Sequence, residues 1–129
     1  MKKESNFQLI NLPKILKFKF DANQESISDK TSLNLGVSSK SEINYEDKII
    51  QIQLEINIET EKDGPFQIDS TIVGDFKFKN NPEEDELMIF VKSIAPSILL
   101  SYSRPIISQF ITYSGYPPYI IPLLDLREN

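Results

Sequence analysis

Ile50-Gln51-Ile52-Gln53-Leu54-Glu55-Ile56-Asn57-Ile58-Glu59 alternates apolar and polar residues without a break. A helix returns a side chain to the same face only every 3.6 residues, so this pattern would scatter its apolar groups around the cylinder. A strand gathers them on one side, and the stretch predicts a strand with one buried and one wetted face. Downstream, Asp63-Gly64-Pro65 is turn chemistry: Gly tolerates positive φ and Pro offers no N–H to a ladder. Phe66, Ile68, Ile72, Phe76 and Phe78 then hold one phase, with Gly74 in the same inward set, where a missing side chain allows close packing. The two segments form a hairpin around residues 60–65. Upstream, Leu33, Leu35 and Val37 alternate with small or polar residues. Leu16, Phe18 and Phe20 alternate with Lys17 and Lys19, and the polar, turn-rich stretch from Asp21 to Thr31 separates these two strands. Four antiparallel strands are expected.

The pattern changes at Asn80-Asn81-Pro82. Glu83, Glu84, Asp85 and Glu86 follow, which suits the first turn of a helix, where Pro is tolerated and acids complement the dipole. Leu87, Ile89, Phe90 and Val91 make it a short helix. Pro96 marks a second start, and residues 97–114 form the main helix, with Ile98, Tyr102, Ile106, Phe110 and Tyr113 as its apolar stripe. Pro105 inside it is expected to kink it, at about 3 kcal/mol in an isolated helix. Gly115 caps its end. Tyr116-Pro117-Pro118-Tyr119-Ile120-Ile121-Pro122 is extended, because Pro restricts both itself and the residue before it. The expected fold is α+β, a single domain over 1–129: sheet at about 15–80, helices at about 83–114, Pro-rich tail at 115–129.

Composition removes most chemistry. The 129 residues include no Cys and no His, so Ser–His–Asp catalysis, a thiol nucleophile and the commonest metal ligands are all missing. Glu55 and Glu59 share a strand face but lie about 13 Å apart along it, too far for paired-carboxylate chemistry. The acids of 83–86 lack the ligand spacing of a calcium loop. Gly36, Gly64, Gly74 and Gly115 never gather into a phosphate-cradling loop. No enzyme activity, cofactor or metal is expected. A net charge of −5 argues against nucleic acid, and Lys14, Lys17 and Lys19 read as a solvated strand face. Met1-Lys2-Lys3 is followed by Glu4-Ser5-Asn6 where a signal peptide needs an apolar stretch. No continuous apolar run approaches the ~20 residues of a membrane span, so a cytoplasmic chain without membrane insertion is expected.

The apolar supply is larger than one small domain needs. Eight Phe, five Tyr and many Ile divide between one sheet face and one helix, and one helix is too narrow to cover that face. A second subunit or a bound polypeptide is expected to complete the core.

The C-terminal third carries a recognisable order. Ala95-Pro96-Ser97-Ile98-Leu99-Leu100-Ser101-Tyr102-Ser103-Arg104-Pro105-Ile106-Ile107 precedes Gly115 and the Pro-rich segment, and Gly74-Asp75-Phe76 falls near the end of the fourth strand. Over about residues 15–122 this resembles the SecB export-chaperone family. The resemblance implies a Greek-key sheet with helices on one side, assembled as a homo-oligomer (dimer or tetramer) with the first helices sandwiched between sheets. It implies an ATP-independent holdase for non-native polypeptides or preproteins, passed on to the SecA motor. Tyr102, Arg104, Ile106 and Phe110 would then serve helix and oligomer packing. Phe76, Phe78, Phe90, Tyr116, Tyr119 and Ile121 would lie near the peptide groove. A second long helix follows the linker in the family, whereas here Leu123 to Asn129 remain, fewer than two helical turns. A Cys-bearing zinc tail is not found in this sequence either, and Pro105 follows Arg104 where the family carries an acid. Two alternatives to a general holdase stay open: a dedicated single-client, antitoxin-type chaperone, and a non-catalytic assembly module.

If the phase of the central strand is as read, Leu54→Asp and Ile56→Asp each place an unpaired carboxylate in the core. Both variants are expected to lose cooperative thermal unfolding by circular dichroism. A sharp transition in either would reverse the assignment of the strand's faces.

Overall fold

The computed structural model describes residues 6–22, 33–60, 66–113 and 115. Five strands form one antiparallel sheet: β1 (Phe7–Leu9), β2 (Lys14–Ala22), β3 (Leu33–Asn44), β4 (Ile49–Thr60) and β5 (Phe66–Phe78). Strands β3, β4 and β5 are neighbours in space as in sequence, and β2 lies on the far side of β5. The order β2-β5-β4-β3 is a Greek key. The strand beyond the expected four is β1, whose three residues are too few to show an alternation. It pairs with the end of β5 (Phe7 opposite Phe78, Leu9 opposite Phe76), while β2 takes the rest, from Lys14 opposite Val73 to Ala22 opposite Phe66.

The decisive segment behaves as its pattern requires. Ile50, Ile52, Leu54, Ile56 and Ile58 are all fully buried on the inner face of β4. Across the sheet they form rows with their partners: Leu35–Ile58–Ile68–Phe20, Val37–Ile56–Ser70–Phe18 and Ile43–Ile50–Phe76–Leu9. Burying each large aliphatic or aromatic side chain contributes roughly 1.5–3 kcal/mol before entropy is counted. The outer face carries the wetted alternates, with Gln51 Nε2 donating to Asp75 Oδ1 at 3.2 Å across β4 and β5.

One residue of β2 departs from its expected face. The register shifts between Ile15 and Lys17, leaving Leu16 without a partner and 59% exposed. The expectation that Leu16 points inward with Phe18 and Phe20 is therefore corrected. Ile15 stands opposite buried Ile72, and the extra residue of a β-bulge turns Leu16 out.

The helical part is one continuous run rather than two helices. α1 (Glu84–Ile89) passes through a π-helical segment, Phe90–Ile94, into α2 (Ala95–Tyr113). Pro96, expected as a fresh start, lies in the first turn of α2. The Ala95 N–H bonds to the Phe90 carbonyl, the wider i→i+5 pattern, just before the proline that has no N–H to give. Pro105 lies inside α2, exposed to solvent, and the helix continues through it to Tyr113. Gly115 has φ +93°, and its N–H donates to the Thr112 carbonyl at 3.1 Å. Glu84–Tyr113 is long and apolar enough, by length and composition alone, to meet the measure of a membrane span, which no continuous run in the sequence suggests. It packs on the chain's own sheet, giving Leu87, Phe90, Ala95, Leu99, Leu100, Ile107 and Ile111 to the core.

That packing rests on a close approach. A Cβ built on Gly74 would stand 2.7 Å from Leu99 Cδ2 and 3.5 Å from both Leu9 Cδ1 and Phe76 Cε2. Leu99 is fully buried, so it has little room to retreat. Gly74→Ala is expected to cost about 1–3 kcal/mol by overpacking in urea titrations. Adding Leu99→Val should recover part of that loss, a coupling that a double-mutant cycle reads directly. Additive effects of the two changes would show that the contact is not close.

Candidate polypeptide-binding and assembly surface

α2 carries two apolar rows, and its own sheet takes only one. Leu99, Ser103, Ile107 and Ile111, spaced four apart, are buried, with the Ser103 hydroxyl satisfied by the Leu99 carbonyl at 3.1 Å. Ile98, Tyr102, Ile106 and Phe110 each precede one of these residues, so their row is rotated by roughly 100° about the axis. Tyr102 is 39% and Phe110 40% exposed, Tyr113 beyond them 73%, and Ile98 and Ile106 are half-buried. The apolar stripe read from the sequence is this second row, and the buried row beside it is one that the sequence reading did not name. The signal for it lies in the doublets Ile98-Leu99, Ile106-Ile107 and Phe110-Ile111, which widen the apolar arc beyond one row. On the remaining side, Ser101 and Thr112 turn their hydroxyls back onto the Ile98 and Ser108 carbonyls.

The second row leans over the β2 edge of the sheet. The Phe110 ring lies 4.5 Å from Phe18 and 6.1 Å from Phe20, which in turn is 6.1 Å from Phe66. Phe18 and Phe20 are only half-buried in this cluster. Along the same edge Ile10, Leu12, Ile15 and Leu16 are exposed. The wetted face of β2 carries Lys14, Lys17 and Lys19, the last 3.7 Å from Asp21 in an exposed pair of little energetic weight. On the opposite side of the sheet α2 packs chiefly on β4 and β5, and Leu35, Val37 and Ile43 of β3 stay half-buried.

The residues singled out from the sequence fall into three groups. Tyr102, Ile106 and Phe110 come together on the second row, while half-buried Arg104 points away from that row. Phe76, Phe78 and Phe90 lie in the core, 1%, 0% and 3% exposed, not on an open groove. Phe90 is stacked 3.9 Å from Phe7 and meets Phe76 edge-on at 5.1 Å, so these rings fix the helix to the sheet. Tyr116, Tyr119 and Ile121 lie outside the described residues. Phe18, Phe20, Ile94, Met88 and Ile89 are exposed or half-buried apolar groups that the sequence reading did not assign to a binding or packing surface. Among the described residues no group of three acidic, His or Cys side chains is placed to hold a metal ion. What the surface offers is apolar and aromatic contact area.

Known proteins place this architecture. Residues 3–128 match the SecB family, described as preprotein translocase subunit SecB. The protein-export protein SecB of Neisseria gonorrhoeae (strain ATCC 700825 / FA 1090) is 30% identical over 90 residues, 70% of this chain and 60% of that relative's length. Among solved structures, the SecB-like chaperone of Mycobacterium tuberculosis, in complex with a ChAD peptide from the HigA1 antitoxin, superposes with a TM-score of 0.76. It covers 92% of this chain and 91% of its own at 12% identity, a likeness of fold. A protein of unknown function from Streptococcus agalactiae reaches a TM-score of 0.50 at 16% identity, covering 92% of this chain and 99% of that one. With the family match running along almost its whole length, the chain belongs to the SecB family.

Proposed function

We propose that this protein is a non-catalytic, ATP-independent chaperone of the holdase type that binds extended or non-native polypeptides in the cytoplasm. The observation that carries this reading is the apolar area that one helix leaves uncovered: the second row of α2 with half-buried Phe18 and Phe20 on one flank, and half-buried Leu35, Val37 and Ile43 of β3 on the other. A monomeric domain rarely leaves a contiguous apolar stripe of this kind open. Rows of Ile, Phe and Tyr read hydrophobicity rather than sequence, because they offer large apolar area with few directional groups. Broad, weakly selective recognition of unfolded chains follows from that composition.

Two apolar regions flank the helix, and the proposal divides them. Tyr102, Ile106 and Phe110, with Arg104 steadying the helix, serve assembly into a homo-oligomer. The half-buried inner face at β3 and the segment bearing Tyr116, Tyr119 and Ile121 serve the client, with Phe76, Phe78 and Phe90 as the core beneath. Preproteins are one client class, in keeping with the export role of the Neisseria relative, and SecA would then be the receiving motor. The tuberculosis neighbour, which holds an antitoxin peptide, favours a second reading: a chaperone dedicated to one client.

The division is tested at the second row. The double variant Tyr102→Asp/Ile106→Asp is expected to keep its circular dichroism spectrum and to sediment as a monomer where the parent protein sediments as an oligomer. An unchanged oligomer would remove this row from the interface. The holdase reading is tested by diluting chemically unfolded proteins into buffer containing this protein, without nucleotide, and following light scattering. Suppression at near-stoichiometric amounts for several unrelated clients is the expected result. Suppression of one client alone would establish the dedicated chaperone. No suppression of any client by a stable oligomer would leave an assembly module.

A further inference from the structure

We draw no further inference here: the strongest candidate, the outer edge of β3 with half-buried Leu35, Val37 and Ile43 beside it, carries nothing because no described residue shows what covers it.

Discussion

Because position 74 carries no side chain, Leu99 can settle against the middle of β5, and this approach fixes the height and line of the helix over the sheet. Leu9 and Phe76 border the same spot, so the contact also ties β1 and the end of β5 to α2. Further along the chain, four-residue steps carry Ser103, Ile107 and Ile111 down the same line. At the other end, Phe90 is clasped between Phe7 and Phe76. The π-helical segment lies between these two anchors. Its wider i→i+5 turn shifts the helical phase between them, so that Leu87 and Phe90 reach the core while α2 keeps its own buried row.

The width of a helix then sets what stays open. An α-helix with its side chains is about 10–12 Å across. Strands are spaced about 4.8 Å apart, so a helix lying along β4 and β5 leaves the flanks of a four-strand width uncovered. Burial follows this geometry. The inner residues of β4 and β5 are almost entirely buried, whereas Leu35, Val37 and Ile43 on one flank and Phe18 and Phe20 on the other are only half so. The surplus of apolar residues is thus a consequence of covering a sheet with one helix, and it is the physical basis of the binding role proposed.

Much of this was legible in the residues. Five unbroken period-two repeats fixed β4 and its buried face, and the phase from Phe66 to Phe78 fixed β5. Three features were not legible, each for a definable reason. β1 is too short for any periodicity, and only its pairing with Phe76–Phe78 makes it a strand. The bulge at Leu16 follows from how β2 meets β5: the adjacent apolar pair Ile15-Leu16 breaks the alternation, but only the pairing with Ile72 shows which of the two turns out. The choice between the two rows of α2 was beyond the pattern, because Ile98, Tyr102, Ile106 and Phe110 have as good a spacing as Leu99, Ser103, Ile107 and Ile111. The small residue Ser103 marks the row that lies close to the sheet, and that becomes meaningful only once Gly74 is known to lie beneath. The same ambiguity bears on the aromatic residues expected to lie near a groove. Phe76 and Phe78 share the phase of the β5 core, and nothing in a one-dimensional pattern separates a covered part of a sheet face from an open one.

A protein that displays apolar surface must also avoid unproductive association, and the distribution of charge shows where contact is discouraged. The outer sheet face is lined by Gln, Glu, Asn and Asp alternates, a poor match for any apolar partner. Lys14, Lys17 and Lys19 stand along the wetted side of β2, and a bulge interrupts the same strand; both devices oppose indiscriminate edge-to-edge pairing. With a net charge of −5, encounters between copies are also mildly repulsive at long range. The apolar contact area lies instead on the helix-covered side, where Tyr102, Ile106 and Phe110 form one row of the helix and the half-buried residues of β2 and β3 lie to either side. A partner that docks there gains apolar burial without having to desolvate the carboxylates of the other face, and so the side of the sheet that one helix cannot close is also the side on which binding costs least.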